Sequence, residues 1–136
     1  MIEPTTLLYT ERMNDLRSDE IVAQIRTARK HGYDDMPVFV LPMEAFPGRY
    51  AIVEGNHHAW LAEREKRLVS AVVIESPEDF EKAERVRPTV WGDSIEENGS
   101  KETRFQRAQA AIYKAALLNR RNAGRLIGND SSNDPS

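Results

Sequence analysis

The chain has 136 residues, of which 40% are hydrophobic and 30% charged, a composition suited to one globular domain that folds without a disulfide or metal. It contains no cysteine, which excludes a disulfide scaffold, a thiolate metal site and a thiol nucleophile and makes a cytoplasmic location the default expectation. No apolar run approaches the ~20 residues of a membrane span, so a membrane partner is not expected, and the N-terminus lacks the basic-then-apolar order of a secretion signal. The net charge of -3 is unevenly spread, because residues 101–125 hold seven basic residues and one acid while residues 1–100 are strongly acidic. Only the late segment is therefore suited to an anionic partner.

Residues 1–17 read as irregular chain or a short strand around Thr5 to Tyr9. A helix is expected over 18–31, with Ser18 as N-cap, Asp19 and Glu20 in the first turn, Ile21, Val22, Ile25 and Ala28 at helical spacing, and Gly32 as terminator. Val38-Phe39-Val40-Leu41, bounded by Pro37 and Pro42, is apolar on both sides and reads as an interior strand. Phe46-Pro47-Gly48 is a turn, and Arg49 to Val53 a second strand broken at Glu54-Gly55-Asn56. A helix follows from about His57 to Arg67. Val69 to Ile74 reads as a third strand, and a third helix starts at Ser76-Pro77 and runs to about Arg85. Residues 86–100 contain Pro, Gly and Ser and read as a linker. Residues 101–123 form a long helix with Phe105, Ala108, Ile112, Ala115 and Asn119 on one stripe, joined by Leu117 and Leu118, and ended by Gly124 and Gly128. The polar residues 128–136 read as a disordered tail.

The chemistry-bearing stretch is Glu54-Gly55-Asn56-His57-His58, a strand, a glycine turn and a helix start. The first turn of a helix presents backbone N–H groups and the positive end of the dipole, which together favour an anion. His57 and His58 add side-chain donors there, or serve only to cap the turn. Glu54 is either a carboxylate that orients a hydroxyl or water, or an ordinary strand-end residue. Arg17, before the first helix, could reach an anion in the same cleft. A zinc site is poorly supported, since the chain has three histidines and two of them are adjacent. Trp60 could stack on a nucleobase, but a tryptophan one turn into a helix more often packs in the core. Trp91, in the linker, either anchors a tail or a partner or packs on the sheet edge.

Taken together, helix 18–31 with Gly32, Met36-Pro37-Val38-Phe39-Val40, Tyr50-Ala51-Ile52-Val53, the Gly55-Asn56-His57-His58 turn with Ala62, and Leu68 to Ile74 resemble the ParB/sulfiredoxin superfamily over about residues 1–80. The resemblance implies an α/β fold: a small mixed twisted sheet flanked by helices over 1–85, a linker over 86–100 and a C-terminal helical extension over 101–127. It also implies a turn that binds the phosphates of a nucleotide, CTP or ATP with Mg²⁺, through Gly55, Asn56, His57 and His58, with Glu54 as the catalytic carboxylate. Asn56 stands where sulfiredoxins carry their reactive cysteine, so that chemistry is excluded. His58 stands where the family usually has a phosphate-binding arginine, and a histidine does not supply arginine's permanent bidentate fork.

Three functions are expected in order. The first is a ParB-like nucleotide- or phosphate-binding module in a DNA-associated process, with Arg104, Arg107, Lys114 and Arg121 at near-helical spacing to meet DNA or a second copy of the chain. The second is a small phosphotransferase resembling the free-serine kinases. The third is a non-catalytic protein-interaction module on the same scaffold. No helix-turn-helix pair is visible, so a complete partition protein is not expected.

Overall fold

The computed structural model describes residues 1–11, 37–86 and 100–126, together with Ala23, Gln24, Arg26, Thr27 and Lys30, which are helical. The rest of the expected helix 18–31, Arg17, the interior of the 86–100 linker with Trp91, and the 128–136 tail lie outside the described residues.

The fold is α/β, a four-stranded mixed sheet with helices against it. The strands are β1 (Leu7–Leu8), β2 (Val38–Pro42), β3 (Tyr50–Glu54) and β4 (Ala71–Val73), in the spatial order β1-β3-β2-β4. β1 runs parallel to β3, with Leu7 opposite Tyr50 and Leu8 opposite Ala51. β2 and β3 form an antiparallel hairpin in which Val40 faces Ile52 and Leu41 faces Ala51. Its turn is closed by Met43 N donating to Arg49 O at 3.0 Å, and Gly48 takes a φ of 84° there, a region glycine enters without strain. β4 lies parallel to the other edge of β2, with Val38 opposite Ala71 and Val40 opposite Val73. The unbroken apolar run of β2 follows from its position as an inner strand, covered on both faces.

The period of two along the strands sorts side chains into two cores. On one face Leu8, Phe39, Leu41, Ala51 and Val53 pack with Phe80 and Ala83 of α2 (Pro77–Val86) and with Phe105, Ala108, Ile112 and Ala116 of α3 (Lys101–Leu118). On the other face Leu7, Tyr9, Val38, Val40 and Ile52 pack with Ala59 and Ala62 of α1 (Asn56–Arg64). α3 is thus one wall of the core. The segment set apart in the sequence as an extension beyond a linker packs, together with α2, over the face of the sheet that carries Phe39, Leu41 and Val53. The buried stripe passes through Ala116, not Ala115, and Leu117 and Leu118 are 48% and 71% exposed.

α3 begins at Ser100, whose side chain accepts from Thr103 N at 3.2 Å. It stops at Leu118, well before the expected glycine. Asn119 breaks it: the Asn119 side chain accepts from Arg121 N at 2.9 Å and donates to Glu11 O at 2.6 Å. A 3-10 turn, Arg120–Asn122, follows and brings Asn122 to zero exposure against the N-terminal strand. Asn122 Oδ1 accepts from Tyr9 N at 2.8 Å, and its Nδ2 donates to Tyr9 O and Ala116 O, both at 2.7 Å. Replacing Asn122 with alanine leaves these buried backbone groups unpaired. Asn122→Ala is expected to lower unfolding stability by about 2–4 kcal/mol in urea titration, several times the effect of Asn119→Ala at the exposed cap.

Candidate functional site

β3 delivers the chain into the Gly55 turn. Gly55 has a φ of 110°, the left-handed region, and caps α1 with no side-chain hydrogen bond. A Cβ at this position would stand 2.6 Å from Val38 Cγ1 and 3.2 Å from Val38 Cα, so the turn lies directly on β2. Backbone conformation and space both demand glycine. Gly55→Ala is expected to cost about 3 kcal/mol, read as a fall in the thermal midpoint of roughly 10 °C.

Around the turn the expected residues divide. Glu54 is the last residue of β3, half-buried, with Phe39 opposite it. His57 and His58 are half-buried in the first turn of α1, and His57 Nδ1 lies 3.8 Å from Glu11 Oε2. Asn56 differs from the expectation of a phosphate contact. It is 3% exposed and its amide faces inward, accepting from Thr10 N at 2.9 Å and donating to Thr10 Oγ1 at 3.1 Å. Thr10 Oγ1 in turn donates to Ile52 O at 2.8 Å. Its side chain is therefore a strut between the turn and the N-terminal strand, and what Asn56 offers a ligand is its backbone.

The basic residues expected to share one face are placed in three surroundings. Arg107 and Lys114 are exposed on the side of α3 away from the core. Arg104 lines a hollow of about 280 Å³ between α2 and α3 with Phe80, Glu81, Glu84, Arg85 and Lys101, and Lys101 pairs with Glu81 at 3.1 Å. Arg121 falls beyond the end of α3, so helical spacing does not carry it onto the face of Lys114.

Arg121 joins a cluster that sequence reasoning missed. Tyr9, Trp60, Glu63, Arg64 and Arg121 line a hollow of about 200 Å³. Beneath it the Tyr9 hydroxyl donates to Glu63 Oε1 at 2.6 Å, and Arg125 pairs with the same oxygen while donating to Leu7 O and Pro4 O. The Arg125 guanidinium also sits 5.1 Å from the Tyr9 ring centroid. Burial, and then the neighbouring Glu63 carboxylate, push the Tyr9 hydroxyl well above the usual tyrosine range, so it remains a donor. Burial alone would raise Glu63, but hydrogen bonds from Arg125 and Tyr9 and the charges of Arg125 and Arg121 outweigh it and hold the carboxyl below its ordinary value. The three residues come from the chain just after β1, from α1 and from the segment that follows α3, 54 and 62 positions apart, so no spacing rule links them. The one sequence signal was Trp60 beside Glu63-Arg64 on one helix.

A depressed carboxyl stabilises the fold fully above its unfolded value, 4.5, and loses that contribution as pH falls through the lower folded value. Unfolding stability is accordingly expected to decline below about pH 4.5, with a shallower decline in Glu63→Gln, as read from urea titrations between about pH 6 and 3.

Among the described residues no group of three or more His, Asp or Glu is placed to hold a metal ion, and no helix is long and apolar enough to cross a membrane. No family model matches the chain, and no curated protein or solved structure matches it either.

Proposed function

We propose that this is a ParB-like nucleotide- or phosphate-binding module acting in a DNA-associated process. The observation that carries the reading is Gly55, held in a left-handed conformation against Val38 at the point where an inner strand turns into a nine-residue helix. That geometry aims the positive end of a helix at the mouth of the turn, where an anion is favoured. In this reading the backbone from Gly55 to His58 and the imidazoles of His57 and His58 hold the phosphates of CTP or ATP with Mg²⁺. Glu54 polarises a water or a substrate hydroxyl. The outward Arg107 and Lys114 supply a DNA-facing charge pair. Arg17 would complete the anion site from outside the described residues. If a small hydroxyl substrate also binds at Glu54, the same arrangement is a phosphotransferase, which turnover of the nucleotide in the presence of that substrate would reveal.

A second reading, a non-catalytic module that assembles with another copy of itself, is favoured by one observation. The exposed Leu117 lies beside a mostly apolar hollow of about 460 Å³ lined by Met43, Ala45, Phe46 and Tyr113, with Leu118 exposed next to it.

Thermal unfolding with millimolar CTP, ATP and ADP, each with Mg²⁺, separates the two. A nucleotide at about 100 times its Kd adds roughly 2.7 kcal/mol of stability, which is readily measured. A rise with one nucleotide, lost in His58→Ala, is expected. No rise with any of them would overturn the nucleotide reading and leave the assembly reading standing.

A further inference from the structure

The hollow over Glu63 has a charge balance that its structural role does not explain. Its one acidic lining residue is Glu63, whose Oε1 already takes Arg125 and the Tyr9 hydroxyl. Two further guanidinium groups, Arg64 and Arg121, remain at the rim. Among the described residues neither lies within 4.0 Å of a carboxylate. The guanidinium of Arg64 and the backbone of Arg121 are each held in place. The Arg64 guanidinium lies 4.8 Å from the centroid of the Trp60 ring, a cation–π contact that keeps a planar fork oriented. Arg121 is set by the 3-10 turn that Asn119 caps and the buried Asn122 pins to the N-terminal strand.

We propose that this hollow is an anion site distinct from the Gly55 turn, and that Arg64 and Arg121 together bind a phosphate group in it. Two guanidinium forks at one rim, that of Arg64 oriented on the Trp60 ring, match the tetrahedral oxygens and double negative charge of a phosphate better than a single carboxylate. A hollow of about 200 Å³ is small enough to make the phosphate the part of the ligand that is gripped. Its residues on α1, Trp60, Glu63 and Arg64, follow the Gly55 turn by one to two helical turns, and none of its lining residues belongs to that turn. The two sites are thus separate, and this one does not depend on nucleotide binding at the turn. The phosphate could be a free monoester or part of a nucleic-acid backbone, and the recognition chemistry is the same.

Trp60 reports directly on the site. The chain has two tryptophans, so Trp91→Phe isolates its fluorescence. The full chain is titrated at constant ionic strength with inorganic phosphate, a 5′-mononucleotide and a short single-stranded DNA. The expected result is a saturable fluorescence change, weakened about tenfold or more in both Arg64→Gln and Arg121→Gln. Both arginines are exposed, so these variants are expected to keep the parent's thermal midpoint to within a few degrees. Tightest binding of the mononucleotide assigns a free monoester. Tightest binding of the DNA, with a steep salt dependence, assigns the backbone. Calorimetric titration of the unsubstituted chain and of the two arginine variants gives the same comparison without touching Trp91. No saturable binding by any probe, or binding that both arginine variants retain in full, would overturn the proposal.

Discussion

Two buried asparagines hold adjacent residues of the N-terminal segment. Asn122, from the turn after α3, takes both the N–H and the carbonyl of Tyr9, and Asn56, from the first position of α1, takes the N–H and the hydroxyl of Thr10. β1 is only two residues long and lies at the sheet edge, where its own ladder is too short to fix it. The amides supply what the ladder lacks. Each is nearly or fully buried, so each must find partners, and a backbone at a fixed distance is the partner that satisfies donor and acceptor together. The N-terminal strand, the helix that follows the glycine turn and the end of the last helix are thereby set relative to one another.

Both anion-attracting regions hang on that clamp. The Gly55 turn is braced from below by Val38 and from the side by Asn56 and Thr10. The Tyr9–Glu63–Arg125 group is assembled because Asn122 brings residues 120–126 against Tyr9. Arg125 then stitches the same region three ways, to Glu63 and to the carbonyls of Pro4 and Leu7. One carboxylate there faces three guanidinium groups, Arg125 paired with it and Arg64 and Arg121 lining the same hollow, so the hollow carries an excess of positive charge. The basic charge of residues 101–125 is thus divided: Lys101 pairs with Glu81 and Arg125 with Glu63, Arg104 and Arg121 each line a hollow, and Arg107 and Lys114 face solvent.

Local signals were enough to read much of the fold. The apolar run at 38–41 between prolines reads as an inner strand, and β2 lies between β3 and β4. The proline at the first turn of α2 and the glycine before α1 mark helix starts that the structure keeps within a residue or so. Periodicity located the buried side of α3 at Phe105, Ala108 and Ile112. It failed at the far end, where Asn119 ends the helix by bonding to Glu11 O, a residue 108 positions away. Gly124 was the stronger local stop signal, but a distant acceptor for the Asn119 side chain outweighed it.

The candidate site was legible only in outline. A glycine between an apolar strand and a helix announces a turn, and the φ of 110° and the contact with Val38 give the reason it is glycine. The inward direction of Asn56 and the pairing of Tyr9 with Glu63 and Arg125 carry no signal in the chain, because each joins residues at least 46 positions apart, and of the hollow only Trp60, Glu63 and Arg64 are neighbours in sequence. By itself the sequence determined the inner strand, the helix starts, the apolar stripes and the concentration of positive charge in its last quarter, since these depend on neighbours within a turn or a pleat. Only the tertiary structure decided which polar side chains became struts and which charges cancelled. Burial and long-range pairing set those outcomes, and they exist only once distant segments meet.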